Sequence, residues 1–256
     1  MGKDTQTMKK KKDENKINKK QPIWSGTRRF LKIFFKKPRV ISLSGELPNK
    51  AIYVANHAAM FGPVVYNMYL PATISEWGAY YMLGTYKERF HYLRDVYFMQ
   101  KRHKSKAAAT FLASWEAALN IYFYRGLRVI PSYPDTRFIR TVRQSMQMLD
   151  NDIGVMIFPE DSSEGYHEVL KGFYAGFVEL AKYYKKTYGE DIPIYPVYYH
   201  AKKKVMVIGE PSTISDYTAK GMHRQEIANE FCNQVNNLFF NYIQDKPQTA
   251  SEPAQE

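Results

Sequence analysis

From Ala51 to Ser75 no residue carries a formal charge, and this run limits the folds open to the chain more than any other feature. A stretch of that length can cross a bilayer as a helix. Asn56, His57, Pro63, Asn67 and Pro71 lie inside it, however, and together they argue against a lipid-facing helix. Ala51-Ile52-Tyr53-Val54-Ala55 is instead expected to form a buried strand, followed by a polar turn and a short helix.

The rest of the chain alternates in the same way. Leu127 to Ile130 is expected as a strand, and Ile139, Val142, Met146 and Leu149 form a helical stripe. Val155-Met156-Ile157-Phe158 is expected as a buried strand ending at Pro159. Phe173, Phe177, Leu180 and Tyr184 mark a helix, with Lys171-Gly172 at its start. Strands at Ile194 to Tyr199 and Val205 to Ile208 follow, and Ile227, Phe231, Val235, Leu238 and Tyr242 define a last helix. This order predicts an α/β protein: a mixed, largely parallel sheet flanked by helices. An apolar content of 45% supports a substantial core. One domain is expected over residues 40–245, with a flexible tail at 246–256.

Charge is concentrated at one end. Residues 1–40 hold 14 Lys/Arg and 3 Asp/Glu, whereas residues 41–256 hold 23 and 22 and are nearly neutral. Residues 1–22 have almost nothing to bury and are expected to be a disordered basic tail. Over residues 23–39, Arg28, Lys32 and Lys36 recur at helical spacing, with Phe30, Leu31, Phe34 and Phe35 on the other side. A basic amphipathic helix of this kind suits the surface of an anionic membrane. The plainer reading is a helix packed on its own core with solvated lysines. Specific nucleic-acid binding would explain the lysines but leave the motifs described next without a role. Cys232 is the sole cysteine, which excludes an intrachain disulfide, and the first residues show no secretory hydrophobic stretch. The expected location is peripheral, on the cytoplasmic face of a membrane.

The chemistry-bearing residues come in an order. A strand ends in Asn56-His57 and a helix follows; a later strand ends in Phe158-Pro159-Glu160; then come Lys171-Gly172 and a strand containing Pro196-Val197. A histidine on a strand-to-helix turn can face the cleft at the end of an α/β sheet. With a reference pKa of about 6.5, it can take a proton from a hydroxyl near neutral pH.

With Gly126 between the first two pieces, this set resembles the lysophosphatidate and glycerolipid acyltransferases over roughly residues 40–215. That family carries Asn-His-x-Ser-x-x-Asp, a Gly-x-x-x-x-x-Arg strand, Phe-Pro-Glu-Gly-Thr-Arg-Ser, a Lys-Gly helix start and a Pro-Val strand. The resemblance implies an acyltransferase-like fold and transfer of a fatty acyl group from a thioester, acyl-CoA or acyl-carrier protein, to a lipid hydroxyl or amine. No further cofactor and no metal is implied. His57 would be the general base, and Glu160 is the best carboxylate available to orient its imidazole. Asn56, Ser162, Ser163, Lys171 and Gly172 would meet substrate. His167, Glu164 and Glu168 lie in a polar loop and are a poor metal set. Ser162 and Ser163 lack the Gly-x-Ser-x-Gly surroundings of a nucleophile.

The departures from the family are specific. Its aspartate falls at Gly62, its serine at Ala59, its two phosphate-binding arginines at Ser132 and Ser163, and its Gly after Phe-Pro-Glu at Asp161. A phosphate-bearing acceptor is therefore disfavoured against a glycolipid or aminolipid. Residues 86–124 form an expected insertion, with Phe111, Leu112, Trp115 and Leu119 at helical spacing, as a lid over an acyl channel, a second membrane contact or an elaborated surface helix pair. A catalytically inactive, lipid-binding homologue is the alternative that Gly62 supports.

Overall fold

The computed structural model describes residues 17, 21–58, 61–161, 165 and 167–244. Seven strands form one sheet in the order β1-β7-β6-β2-β5-β3-β4: β1 (Arg39–Ser42), β2 (Ile52–Ala55), β3 (Ile74–Ala79), β4 (Ile130–Ser132), β5 (Gly154–Ile157), β6 (Ile194–His200) and β7 (Val205–Ile208). Strands β2 to β6 run parallel to one another, while β7 pairs antiparallel with β6 and β1 parallel with β7. Every residue of β2, β5, β6 and β7 is buried, which is why these segments read as unbroken apolar runs. The α/β architecture with a mixed, largely parallel sheet is thus as the sequence pattern predicts.

Helices cover both faces. On one side, α5 (Phe138–Asp150), α6 (Gly176–Tyr188), α7 (Ile214–Thr218) and α8 (Arg224–Tyr242) supply the larger core, including Phe177, Leu180, Phe231 and Val235 against Ile52, Val54, Val155 and Ile157. On the other, α1 (Pro22–Phe34) and α2 (Gly62–Tyr69) pack on Tyr53, Ala55, Met156, Val197 and Tyr199. A third cluster lies within residues 80–126. A 3-10 turn (Tyr80–Leu83), α3 (Tyr86–His91) and a π-helix (Tyr92–Lys101) lead into the long α4 (Lys106–Gly126). Ala109, Ala113 and Ala117 recur every four residues along α4, and all three are fully buried against this group. Their small side chains let the π-helix approach closely.

Several boundaries differ from the sequence expectation. The helix at the N-terminal end stops at Phe34, because Pro38 cannot continue it, and Arg39 already belongs to β1. Trp24, Leu31 and Phe35 of this segment turn toward the core, while Ile23, Phe30, Ile33 and Phe34 stay exposed. The strand expected at Leu127 to Ile130 is displaced to Ile130–Ser132, since α4 continues through Gly126 and closes on the Leu127 N–H bond to Phe123. Gly126 therefore ends a helix and sits on no strand. A Cβ at Gly126 would collide with the indole of Trp24, so its glycine serves the crossing of α1 over α4. The helix expected to start at Lys171 begins at Gly176, because Phe173 is held in an antiparallel bridge to Glu160. The tails at 1–22 and 246–256 fall almost entirely outside the described residues.

Candidate functional site

The parallel strands β2 and β5 deliver Asn56-His57 and Phe158-Pro159-Glu160 to the same end of the sheet. Asn56 is buried and faces inward. Its Nδ2 donates to Tyr199 O at 3.0 Å, and its Oδ1 accepts from Tyr199 N at 2.9 Å and Tyr66 Oη at 2.8 Å. These bonds extend the β2–β6 pairing by one residue beyond the last strand pair and fix where His57 leaves the sheet. In this structure Asn56 is a positioning residue.

His57 is half-buried, with its ring edge-on to Phe158 at 5.2 Å between centroids. Its backbone N–H donates to Glu160 Oε1 at 2.8 Å. The next residue, Ala58, takes a positive φ of 50°, which turns the chain sharply before α2. Glu160 is clamped in turn: it bridges Phe173, and Tyr174 N donates to Pro159 O at 2.8 Å. Burial pushes the Glu160 carboxyl up to about 7, against the opposing pull of the His57 N–H. A carboxyl poised near neutrality beside a histidine is a pattern of functional sites.

Gly62 opens α2 in close contact with His57. A Cβ there would penetrate the His57 carbonyl oxygen and lie 2.9 Å from its carbonyl carbon. The position where the resemblance places an aspartate therefore has no room for one in this turn.

His57 opens onto a cavity of about 1270 Å³ lined from the sheet, α1, the π-helix and α4, with further contributions from α2, α5, α6 and α8. Its walls are mainly apolar, with Leu31, Phe35, Met82, Leu93, Phe123 and Phe158 among them. Ser132, where an arginine would stand by the resemblance, lines it at the end of β4, and Arg224 lines it too, with its Nη1 3.8 Å from Glu179 Oε1. Lys171 is exposed and Gly172 half-buried, both on the loop before Phe173. Ser162 and Ser163 lie outside the described residues.

Sequence reasoning missed several polar residues of this cavity, among them Glu76 on β3, and Glu116 and Asn120 one turn apart on α4. Burial raises the Glu76 carboxyl well above its ordinary range and raises that of Glu116 as well. The available signal was Glu76 itself, the first charge after the uncharged run, set between Ile74-Ser75 and Trp77. Among the described residues no group of three His, Cys, Asp or Glu is placed to hold a metal ion. No helix among them is long and apolar enough to cross a membrane. No known protein family, curated protein or solved structure matches the chain.

Proposed function

We propose that the protein is an acyltransferase working peripherally at an anionic membrane surface, with His57 as its general base. The observation that carries this reading is a histidine at the parallel sheet's carboxyl edge, facing an apolar cavity large enough for an acyl chain. The order of Asn56-His57, Phe158-Pro159-Glu160 and Pro196-Val197 along the chain supports it further.

In the reaction, the thioester carbonyl sits at His57 with its chain in the cavity. The imidazole takes the proton of an acceptor hydroxyl or amine as that atom attacks the carbonyl carbon. The tetrahedral intermediate collapses, the C–S bond breaks, and the imidazolium returns its proton to the leaving thiolate. No acyl-enzyme is required. Glu160, bonded to the His57 amide, positions the turn that aims the ring. Arg224 is the cation in the cavity lining best suited to a phosphate of the donor.

Membrane attachment is assigned to α1 as an amphipathic helix. Ile23, Phe30, Ile33 and Phe34 are exposed apolar groups on a segment that also exposes Arg29, Lys32 and Lys36. Phe111, Trp115, Leu119 and Tyr122 continue the apolar surface along α4, and Thr27 Oγ1 meets Tyr122 Oη at 2.5 Å where the two helices cross. Consumption of acyl-CoA or acyl-carrier-protein thioester against a panel of lipid acceptors tests the activity. Binding of fatty acids without any turnover would favour the inactive homologue instead.

A further inference from the structure

Glu76 stands out among the buried charges because nothing in the fold accounts for it. On β3, next to the edge strand β4, it pairs through its backbone with Met156 of β5 and is 2% exposed. Among the described residues its Oε1 has no hydrogen-bond partner, yet the residue lines the cavity. Its neighbour Ser75 points to the opposite face, where its hydroxyl donates to Arg128 O. Two positions further on, Gly78 is so closely overlaid by Val129 and Tyr124 that a Cβ there would lie 2.6 Å from Val129 Cγ1. A carboxyl held this way costs stability, and an apolar side chain of similar size would serve packing better.

We propose that Glu76 is a recognition subsite for a hydroxyl carried on the acyl chain, remote from the reacting carbonyl. The inference deepens the acyltransferase reading and rests on it. A carboxylic acid kept neutral by burial offers one O–H donor and a carbonyl acceptor. A hydroxyl also has one donor and acceptor lone pairs, so the two groups satisfy each other without placing an ion in the cavity. A cationic partner would need a second buried charge among the apolar walls, which is costly. Position follows from register. Tyr53 and Glu76 both lie opposite Met156, and His57 is four residues beyond Tyr53. Strand geometry then separates the His57 and Glu76 Cα atoms by roughly 16 Å. The hydroxyl it reads lies toward the middle or far end of a long chain.

The test is a fluorescence-displacement titration of the full chain with a saturated long-chain fatty acid and its monohydroxy analogues. The analogues carry the hydroxyl beside the carboxyl, at mid-chain or at the methyl end. Wild type should prefer a mid-chain or terminal hydroxyl over the plain acid by roughly tenfold, with no preference for the one beside the carboxyl. Glu76→Gln, which keeps a donor and an acceptor, should retain the preference. Glu76→Leu should lose it while binding the plain acid at least as well. Equal binding of all acids by wild type, or a preference that survives in Glu76→Leu, overturns the subsite and leaves the acyl cavity standing. Failure of every acid to bind overturns the cavity reading together with the subsite.

Discussion

The Glu160 carboxylate accepts the backbone N–H of His57 at 2.8 Å, joining the loop after β5 to the turn after β2. Sequence reasoning paired these two residues through the imidazole. The bond acts on the main chain, so Glu160 controls where the ring stands. Glu160→Gln keeps an acceptor for that N–H, and its loss of acyl transfer should be modest. Glu160→Ala removes the acceptor and should reduce turnover by about tenfold or more through misplacement of His57. Steady-state thioester assays on the two variants separate these outcomes.

Glu160 also makes a pH prediction. Its carboxyl ionises near 4.5 in the unfolded chain but holds its proton up to about 7 in the fold. Between those values the native state binds more protons, so stability falls as pH rises. The contribution is fully present below about pH 4.5 and is lost by about pH 7. Glu160→Gln should flatten this part of the curve by about 3 kcal/mol, as measured by urea unfolding across the range. Glu76 has the same sign, so the difference between wild type and variant is the quantity to read.

Gly62 is predicted to tolerate no side chain. A Cβ would run into the His57 carbonyl, which is backbone and cannot swing aside. Gly62→Ala should destabilise by about 2 kcal/mol. Gly62→Asp, although it restores the residue of the resembling family, should depress activity instead of raising it. Chemical denaturation and thioester assays of both variants check this.

Much of the sheet was legible because β2, β5, β6 and β7 are buried on both faces and read as continuous apolar runs. Strand β3 escaped notice because Ser75 and Glu76 interrupt it, each serving a specific neighbour or cavity. Strand β1 is short and exposed at both ends, so it carries little pattern. The π-helix at Tyr92–Lys101 breaks the 3.6-residue period that a helical stripe depends on. In the site, His57 and Glu160 were visible as strand-end residues, but their backbone link depends on a turn geometry that no spacing encodes. Gly126 was read as a strand glycine, and only the crossing Trp24 explains it.

Asn56 should behave as a structural pin. Asn56→Ala leaves the Tyr199 amide and carbonyl without their buried partner and should cost about 3 kcal/mol. Guanidinium denaturation measures that loss. Wild-type stability in the variant would mean that the β2–β6 extension does not hold His57.

The membrane assignment predicts salt-sensitive binding to anionic vesicles, with about 1 kcal/mol from each engaged Lys or Arg. Phe30→Ser with Phe34→Ser should lower the bound fraction by about tenfold or more, since each exposed ring is available for burial in lipid. Vesicle sedimentation is the measurement. Equal binding to neutral and anionic vesicles would contradict it.

The most direct test of the central claim is thioester consumption by wild type and His57→Ala across a panel of lipid acceptors. The account predicts turnover by wild type and a fall of about 10²–10⁴ in the variant. The circular dichroism spectrum and vesicle binding of the variant should be unchanged. A fully active His57→Ala, or a wild type that consumes no thioester with any acceptor, would contradict it.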